Sequence, residues 1–186
     1  MDVYTQCPIL ENENYLLRFV READAPELLQ VYSDEKALPF FNSDNCPGDF
    51  HHTTPEQMNQ EIAFWLYSYQ NGFFVRWTIV DQSTGCAIGT VELFHRQADD
   101  YFDNCGLLRL DLRSDYETEK CISSILDLIV PPAFDLFQCG IIATKAIPFA
   151  GQRRAALQSY GFVPRPEPLI GHDGRPYFDY FVFEKP

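Results

Sequence analysis

The stretch "CGLLRLDLRSDYETEKCISSILDLIV", residues 105–130, reads as strand, turn and helix, and its turn decides the fold. Leu108, Leu110 and Leu112 fall on one face of the strand, and Arg109, Asp111 and Arg113 on the other. Behind the turn, Cys121, Ile122, Ile125, Leu126, Leu128 and Ile129 place an apolar face on a helix, and Pro131-Pro132 predict a kink or stop. A strand feeding a helix in this way makes an anion site, because the first N–H groups of the helix lack intrahelical partners and its dipole favours negative charge there. Such sites usually carry glycine. This one carries none, and presents Glu117 and Glu119 instead.

Upstream, "NYLLRFV" (14–20) is a short β-prone run, followed by "READAPELLQVYSD", where Asp24 can cap a helix with Pro26 in its first turn. Leu28, Leu29, Val31 and Tyr32 give that helix its apolar side. Residues 35–52 are rich in Pro, Gly, Asn and Asp and read as a long irregular loop, a length associated with function or mobility. Thr54, Pro55 and Gln57 form a capping-box start, and Met58, Ile62, Trp65, Leu66 and Tyr69 recur at helical spacing until Asn71-Gly72. The next two apolar runs flank the turn Asp81–Gly85 and predict an antiparallel hairpin. Downstream, "GIIATKAI" reads as a buried strand, "AGQRRAALQSYGF" as a helix closed by Gly161, "VPRPEPLIGHDGR" as an edge strand plus loop, and "PYFDYFVFEK" as a last strand.

The chain has 186 residues, 46% hydrophobic and 15% aromatic, which is material for a sizeable core in one domain spanning 1–186 with its core at about 14–184. Its 14 basic and 27 acidic residues leave a formal net charge of −13, which repels phosphate backbones and argues against nucleic acid as partner. A cationic amine suits that charge, although an acidic balance also simply keeps proteins soluble. The six cysteines are scattered without CxxC pairs and read as buried reduced thiols. With no basic-plus-apolar signal segment and no apolar run near the ~20 residues a bilayer needs, the expectation is a cytoplasmic chain with no membrane partner.

In order and spacing, "YLLRFVREADAPELLQVYSD", "WTIVDQSTGCAIGTVELF", "LRSDYETEKC" and "LQSYGFV" resemble the GCN5-related N-acetyltransferase (GNAT) superfamily, most of all its branch that acetylates the N-terminal alanine of ribosomal proteins. The resemblance covers about residues 14–184 and is most specific at Ile88-Gly89-Thr90 and Tyr160-Gly161-Phe162. It implies an α/β fold with a mixed, largely antiparallel sheet flanked by helices, splayed between strands at 105–113 and 140–147. It also implies acetyl-coenzyme A in that gap, its pantetheine arm paired with the first strand and its pyrophosphate on amides of the following turn.

The motif itself departs from the family's Arg/Gln-x-x-Gly-x-Gly/Ala. Aligned from Tyr116, the chain offers Glu117, Thr118, Glu119, Lys120, Cys121 and Ile122, so the basic position is Glu117, the central glycine Lys120 and the small last position Ile122. In the late helix the usual Asn falls on Ala150, a small polar residue on Arg153, and the thiolate-protonating Tyr on Leu157. A carboxylate swinging near a phosphate lowers affinity by ~1–3 kcal/mol, roughly ten- to hundredfold. Lost glycines are harder to evade, because each Cβ stays in place.

The cofactor-binding set that follows is Leu110, Asp111, Leu112 and Arg113 along the strand, Glu117, Thr118, Glu119, Lys120 and Cys121 in the turn, and Arg153 from the side with Arg154. The resemblance points to Glu92 as activator of the amine; with Leu157 at the acid's place, Tyr160, out of register, or Tyr116 is the substitute acid for the thiolate, and His95 is a second base candidate. On bland readings Glu92 is a solvent-facing strand residue, the arginines are solvated charges, and Glu117 and Glu119 stabilise the helix dipole by ~0.3–1 kcal/mol each. His51-His52 with Cys46 and Asp49 matches no closed zinc pattern, and no metal is expected. The reading is an acyl-coenzyme A-dependent N-acetyltransferase for a small cationic amine or a peptide N-terminus, with a homodimer left open. Its rival is a pseudoenzyme of the same fold, discriminated by whether residues 117–122 and 150–154 fill the cleft.

Overall fold

Residues 2–186 are described by a computed structural model in which the strand behind the quoted turn lies near the middle of the main sheet. In chain order the elements are β1 (Leu10–Glu11), β2 (Tyr15–Phe19), α1 (Ala25–Tyr32), α2 (Pro55–Gln70), β3 (Val75–Asp81), β4 (Cys86–Arg96), β5 (Cys105–Leu112), α3 (Glu119–Leu136), β6 (Ile141–Lys145), α4 (Gly151–Tyr160), β7 (Val163–Pro164), β8 (Leu169–Ile170), β9 (Pro176–Tyr177) and β10 (Tyr180–Glu184). The sheet runs β1-β2-β3-β4-β5-β6-β10-β7, and only β5 and β6 pair in parallel. β8 and β9 form a separate small hairpin. This is the expected mixed α/β architecture, with a largely antiparallel sheet and helices on both faces.

Alternation along β5 sorts the two faces. Leu108, Leu110 and Leu112 pack with Ile122, Ile125 and Ile129 of α3 and with Ala156 and Leu157 of α4. Arg109 and Asp111 turn to the other face, which α1 and α2 cover through a second core of Leu28, Val31, Met58, Ile62 and Trp65. β4 and β5 approach closely at Gly89, where an added Cβ would stand 2.1 Å from the Asp111 carbonyl oxygen, so only glycine serves there.

Local signals were mostly obeyed. The Thr54 hydroxyl accepts from the Gln57 amide and the Gln57 side chain accepts from the Thr54 amide, closing the capping box. Gly161 ends α4 at φ +111°, in the left-handed region. One expected stop and one expected cap are not formed. α3 continues through Pro131-Pro132 to Leu136, because Val130, Ala133 and Phe134 remain buried in one core and that packing outweighs the missing amides. Asp24 precedes α1 but does not cap it with its side chain, which is buried against Arg18, Thr78 and the Arg21 amide. No helix among the described residues is long and apolar enough to cross a membrane.

Candidate functional site

The parallel pairing of β5 with β6 stops at Leu108 and Thr144, while β5 runs on to Leu112. The two strands therefore part beside residues 109–112. Because the Arg113 amide donates to Ile88 of β4, alternation turns the backbone groups of Asp111 toward β4 and those of Leu110 and Leu112 toward the gap. Leu110 and Leu112 thus present their backbone groups to the gap. Asp111 does not, and its carboxylate lies on the opposite face with Tyr32 and Arg76. Arg113 is also turned away and pairs with Asp115.

Side chains of the protein itself fill this gap. Arg153, in the first turn of α4, donates through Nη1 to the Leu110 carbonyl at 2.7 Å. Its Nε and Nη2 donate to the two carboxylate oxygens of Glu117 at 2.7 and 2.8 Å. The pair is buried, with side-chain exposures of 4% and 7%. At the start of α3, the Glu119 amide donates to Gln152 Oε1 at 2.9 Å and the Cys121 amide to the Thr118 hydroxyl at 3.3 Å. Two of the amides that a free helix start would offer to an anion, those of Glu119 and Cys121, are satisfied internally.

An acetyl-coenzyme A molecule does not fit the groove so arranged. Its arm needs the Leu110 edge that Arg153 holds, and its diphosphate needs amides that Gln152 and Thr118 hold. Ile122, standing where the family has a small residue, is fully buried in the core with Cys121 beside it, and burial raises the Cys121 thiol to about 11. Only Lys120 of the turn remains an exposed cation; Arg154 reaches back to the Ala146 carbonyl and lies over Phe181.

The residues assigned to chemistry are placed elsewhere. Glu92 is 2% exposed, and both of its oxygens are taken, one by Arg76 Nη2 and the other by Arg109 Nη1 at 2.9 Å. Burial pushes its pKa up, but the two guanidiniums overcome this and hold it below the usual carboxylate range. A carboxylate in that state is a poor proton acceptor, which corrects its expected role as base. Tyr116 donates to Asp81 at 2.7 Å, and burial with that bond pushes its hydroxyl up to about 12. Tyr160 ends α4 and stacks among Phe162 and Phe183, about 10 Å along the helix from Arg153. Neither tyrosine is brought to the gap. His95 bonds the Phe137 carbonyl through Nδ1.

On the α1/α2 face the structure assembles what single residues did not announce. Arg76, Glu92 and Arg109 lie directly opposite one another across β3, β4 and β5, as do Thr78, Thr90 and Asp111. Arg76 also binds Tyr32, Thr90 and Asp111 and stacks 4.2 Å from the Trp65 ring. Burial raises the pKa of Asp111 despite Arg76. The signal was available: Arg76 in the apolar run "FFVRWTIV" faces Glu92 once the hairpin register is set.

Over this row opens a cavity of about 690 Å³. Its floor includes Arg76, Glu92 and Arg109, and its walls include Phe50, Phe64, Trp65 and Phe94. His52, from the long loop, lines it with Nε2 3.5 Å from Glu61, and burial lowers the imidazole's pKa against the pull of Glu61. Arg109 is also the first residue of β5 beyond the parting of the strands, so cavity and gap meet there.

Comparison with known proteins bears on the fold and the family. No curated protein sequence matches the chain. Among solved structures, it is similar to the ribosomal-protein-S5-alanine acetyltransferase of Vibrio fischeri, at 20% identity and a TM-score of 0.65 over 96% of each chain. It is also similar to the Salmonella typhimurium acetyltransferase that modifies the N-terminal serine of 50S ribosomal subunit protein L7/L12, at 14% identity and a TM-score of 0.67, covering 96% of this chain and 100% of that one. A third, RimL, a ribosomal L7/L12 α-N-protein acetyltransferase solved with coenzyme A, gives 14% identity and a TM-score of 0.70 over 95% of this chain and 98% of that one. These likenesses concern the fold. The family model for the acetyltransferase (GNAT) domain matches residues 14–163, most of the chain, and the protein belongs to that family of acetyl-coenzyme A-dependent N-acetyltransferases.

Proposed function

We propose that this acetyltransferase acts on the α-amino group of a peptide whose first residues enter the aromatic cavity. The observation that carries the reading is the position of the cavity, which meets β5 at Arg109, where the strands part. A volume of about 690 Å³ lies in the range of sites that enclose drug-sized ligands, and exceeds what a simple small amine fills. The net charge of −13 favours approach of an ammonium group. Two of the similar structures carry names that describe action on the N-terminus or α-nitrogen of ribosomal protein L7/L12, which points the same way.

Within the cavity, the Arg76–Glu92–Arg109 row is a fixed floor, because each guanidinium holds the carboxylate and none is free to rotate. His52 is the group suited to take the proton of the ammonium: its lowered pKa leaves it neutral at pH 7, and Glu61 stabilises the imidazolium formed. The test is incubation with millimolar acetyl-coenzyme A and a panel of peptides beginning with alanine or serine, beside small diamines, with products identified by mass spectrometry. Acetylation at the peptide α-amine is expected. Acetylation confined to the diamines, or of lysine side chains alone, would overturn the assignment.

A further inference from the structure

We propose that Arg153, Glu117 and Gln152 form a latch that fills the acyl-donor groove, so that acetyl-coenzyme A binds only the fraction of molecules in which the latch has opened. Three contacts carry the proposal, and each occupies a group the donor would need. The Arg153 guanidinium takes the Leu110 carbonyl, Glu117 places a buried carboxylate at the turn where a diphosphate would bring further negative charge, and Gln152 takes the Glu119 amide. Arg153 does this as a unit: one planar fork grips both oxygens of Glu117 while its remaining arm reaches the strand edge.

The latch is also built to move as a piece. Gln152 and Arg153 are neighbours in the first turn of α4, which begins at Gly151 after Ala150 and has no capping side chain of its own. That turn is held by Arg153 to β5 and to Glu117 and by Gln152 to the start of α3, while Ala156 and Leu157 anchor the rest of the helix in the core. Displacing the first turn alone would clear the strand edge and the Glu119 amide together. The apparent dissociation constant is then the intrinsic one divided by the open fraction, so a latch open one time in ten weakens binding about tenfold.

The experiment is calorimetric titration with acetyl-coenzyme A in the absence of any acceptor, so that its outcome does not depend on the peptide assignment. Wild type is compared with the double variant Glu117→Ala/Arg153→Ala, each first checked for a cooperative thermal transition. The double variant is expected to bind about tenfold tighter or more than wild type, because it has no latch to release. Arg153→Lys serves where the double variant does not fold. It keeps the charge opposite Glu117 but lacks the fork that spans to Leu110, and should bind severalfold tighter. Equal affinity of a folded variant and wild type would overturn the latch and leave the three contacts as a brace between α3 and α4.

Discussion

The two sides of β5 carry similar chemistry and put it to opposite uses. On the α3/α4 side, one arginine and one glutamate close a gap; on the α1/α2 side, two arginines and one glutamate line the floor of an opening. The difference lies in where the partners are anchored. Arg76, Glu92 and Arg109 stand on three adjacent strands in fixed register, so they cannot leave one another without breaking the sheet. Arg153 and Glu117 stand on a helix start and a turn, outside the strand register that fixes the row. A rigid charged floor and a releasable charged plug are made from the same functional groups.

The largest effect should follow from breaking the floor. Arg76→Ala leaves Glu92 with one partner and Asp111 with Tyr32 alone, all fully buried, and should cost about 3–5 kcal/mol of stability in urea unfolding. A loss under about 1 kcal/mol would show that water reaches the row and that the two sides of β5 do not differ in rigidity. pH sharpens the same point. Glu92 and Asp24 have folded-state pKa values below their unfolded ones, so the stability they provide is present above about pH 4 and is lost as the pH falls through their folded values. Asp111 has the opposite sign: its raised value makes its ionisation unfavourable in the folded state, so it subtracts stability as the pH rises past the unfolded value. Glu92→Gln should therefore flatten the acid limb of the stability profile, and an unchanged limb would assign acid unfolding to Asp24 and its kind.

Next in size is the cavity's proton acceptor. His52→Gln should slow peptide acetylation at pH 7 by about a hundredfold while leaving the unfolding midpoint nearly unchanged. Because burial lowers the imidazole's pKa, the acid limb of the wild-type rate should lie below the ordinary histidine value of about 6.5, and the variant should lose it. A variant that keeps both rate and limb would move proton transfer away from the cavity wall.

How legible this was from sequence differs by region for physical reasons. The strand, hairpin and helix assignments rested on alternation and caps, which are local, and Thr54, Gln57 and Gly161 behave as their types demand. The missing glycines at the start of α3 were legible too, since the requirement is steric at a known place. What replaced them was not: that Arg153 would cross from α4 to Glu117 depends on the separation of two elements 36 residues apart, which no local pattern encodes. Glu92 failed as a base for a related reason. Its neighbours along the chain are apolar, and the two arginines that depress its pKa arrive from other strands. Arg76 and Glu92 could have been paired from the hairpin register, but Arg109 required the order of the whole sheet.

The smallest effect is expected at the tyrosine that stood in for the family's acid. The Tyr160 ring packs against Phe162 and Phe183, its hydroxyl pKa is raised mainly by burial, and it stands at the far end of α4 from Arg153. Tyr160→Phe keeps that packing and removes only the hydroxyl, so the rate of peptide acetylation should stay within about twofold of wild type. Tyr116→Phe should likewise leave the rate intact, but it removes the bond to Asp81 and should cost stability by about 1 kcal/mol. A hundredfold loss of rate in Tyr160→Phe with unchanged stability would mean that α4 shifts toward β5 during the reaction by more than opening its first turn requires. The contrast between a rigid floor and a locally hinged plug would then give way to movement of the entire helix.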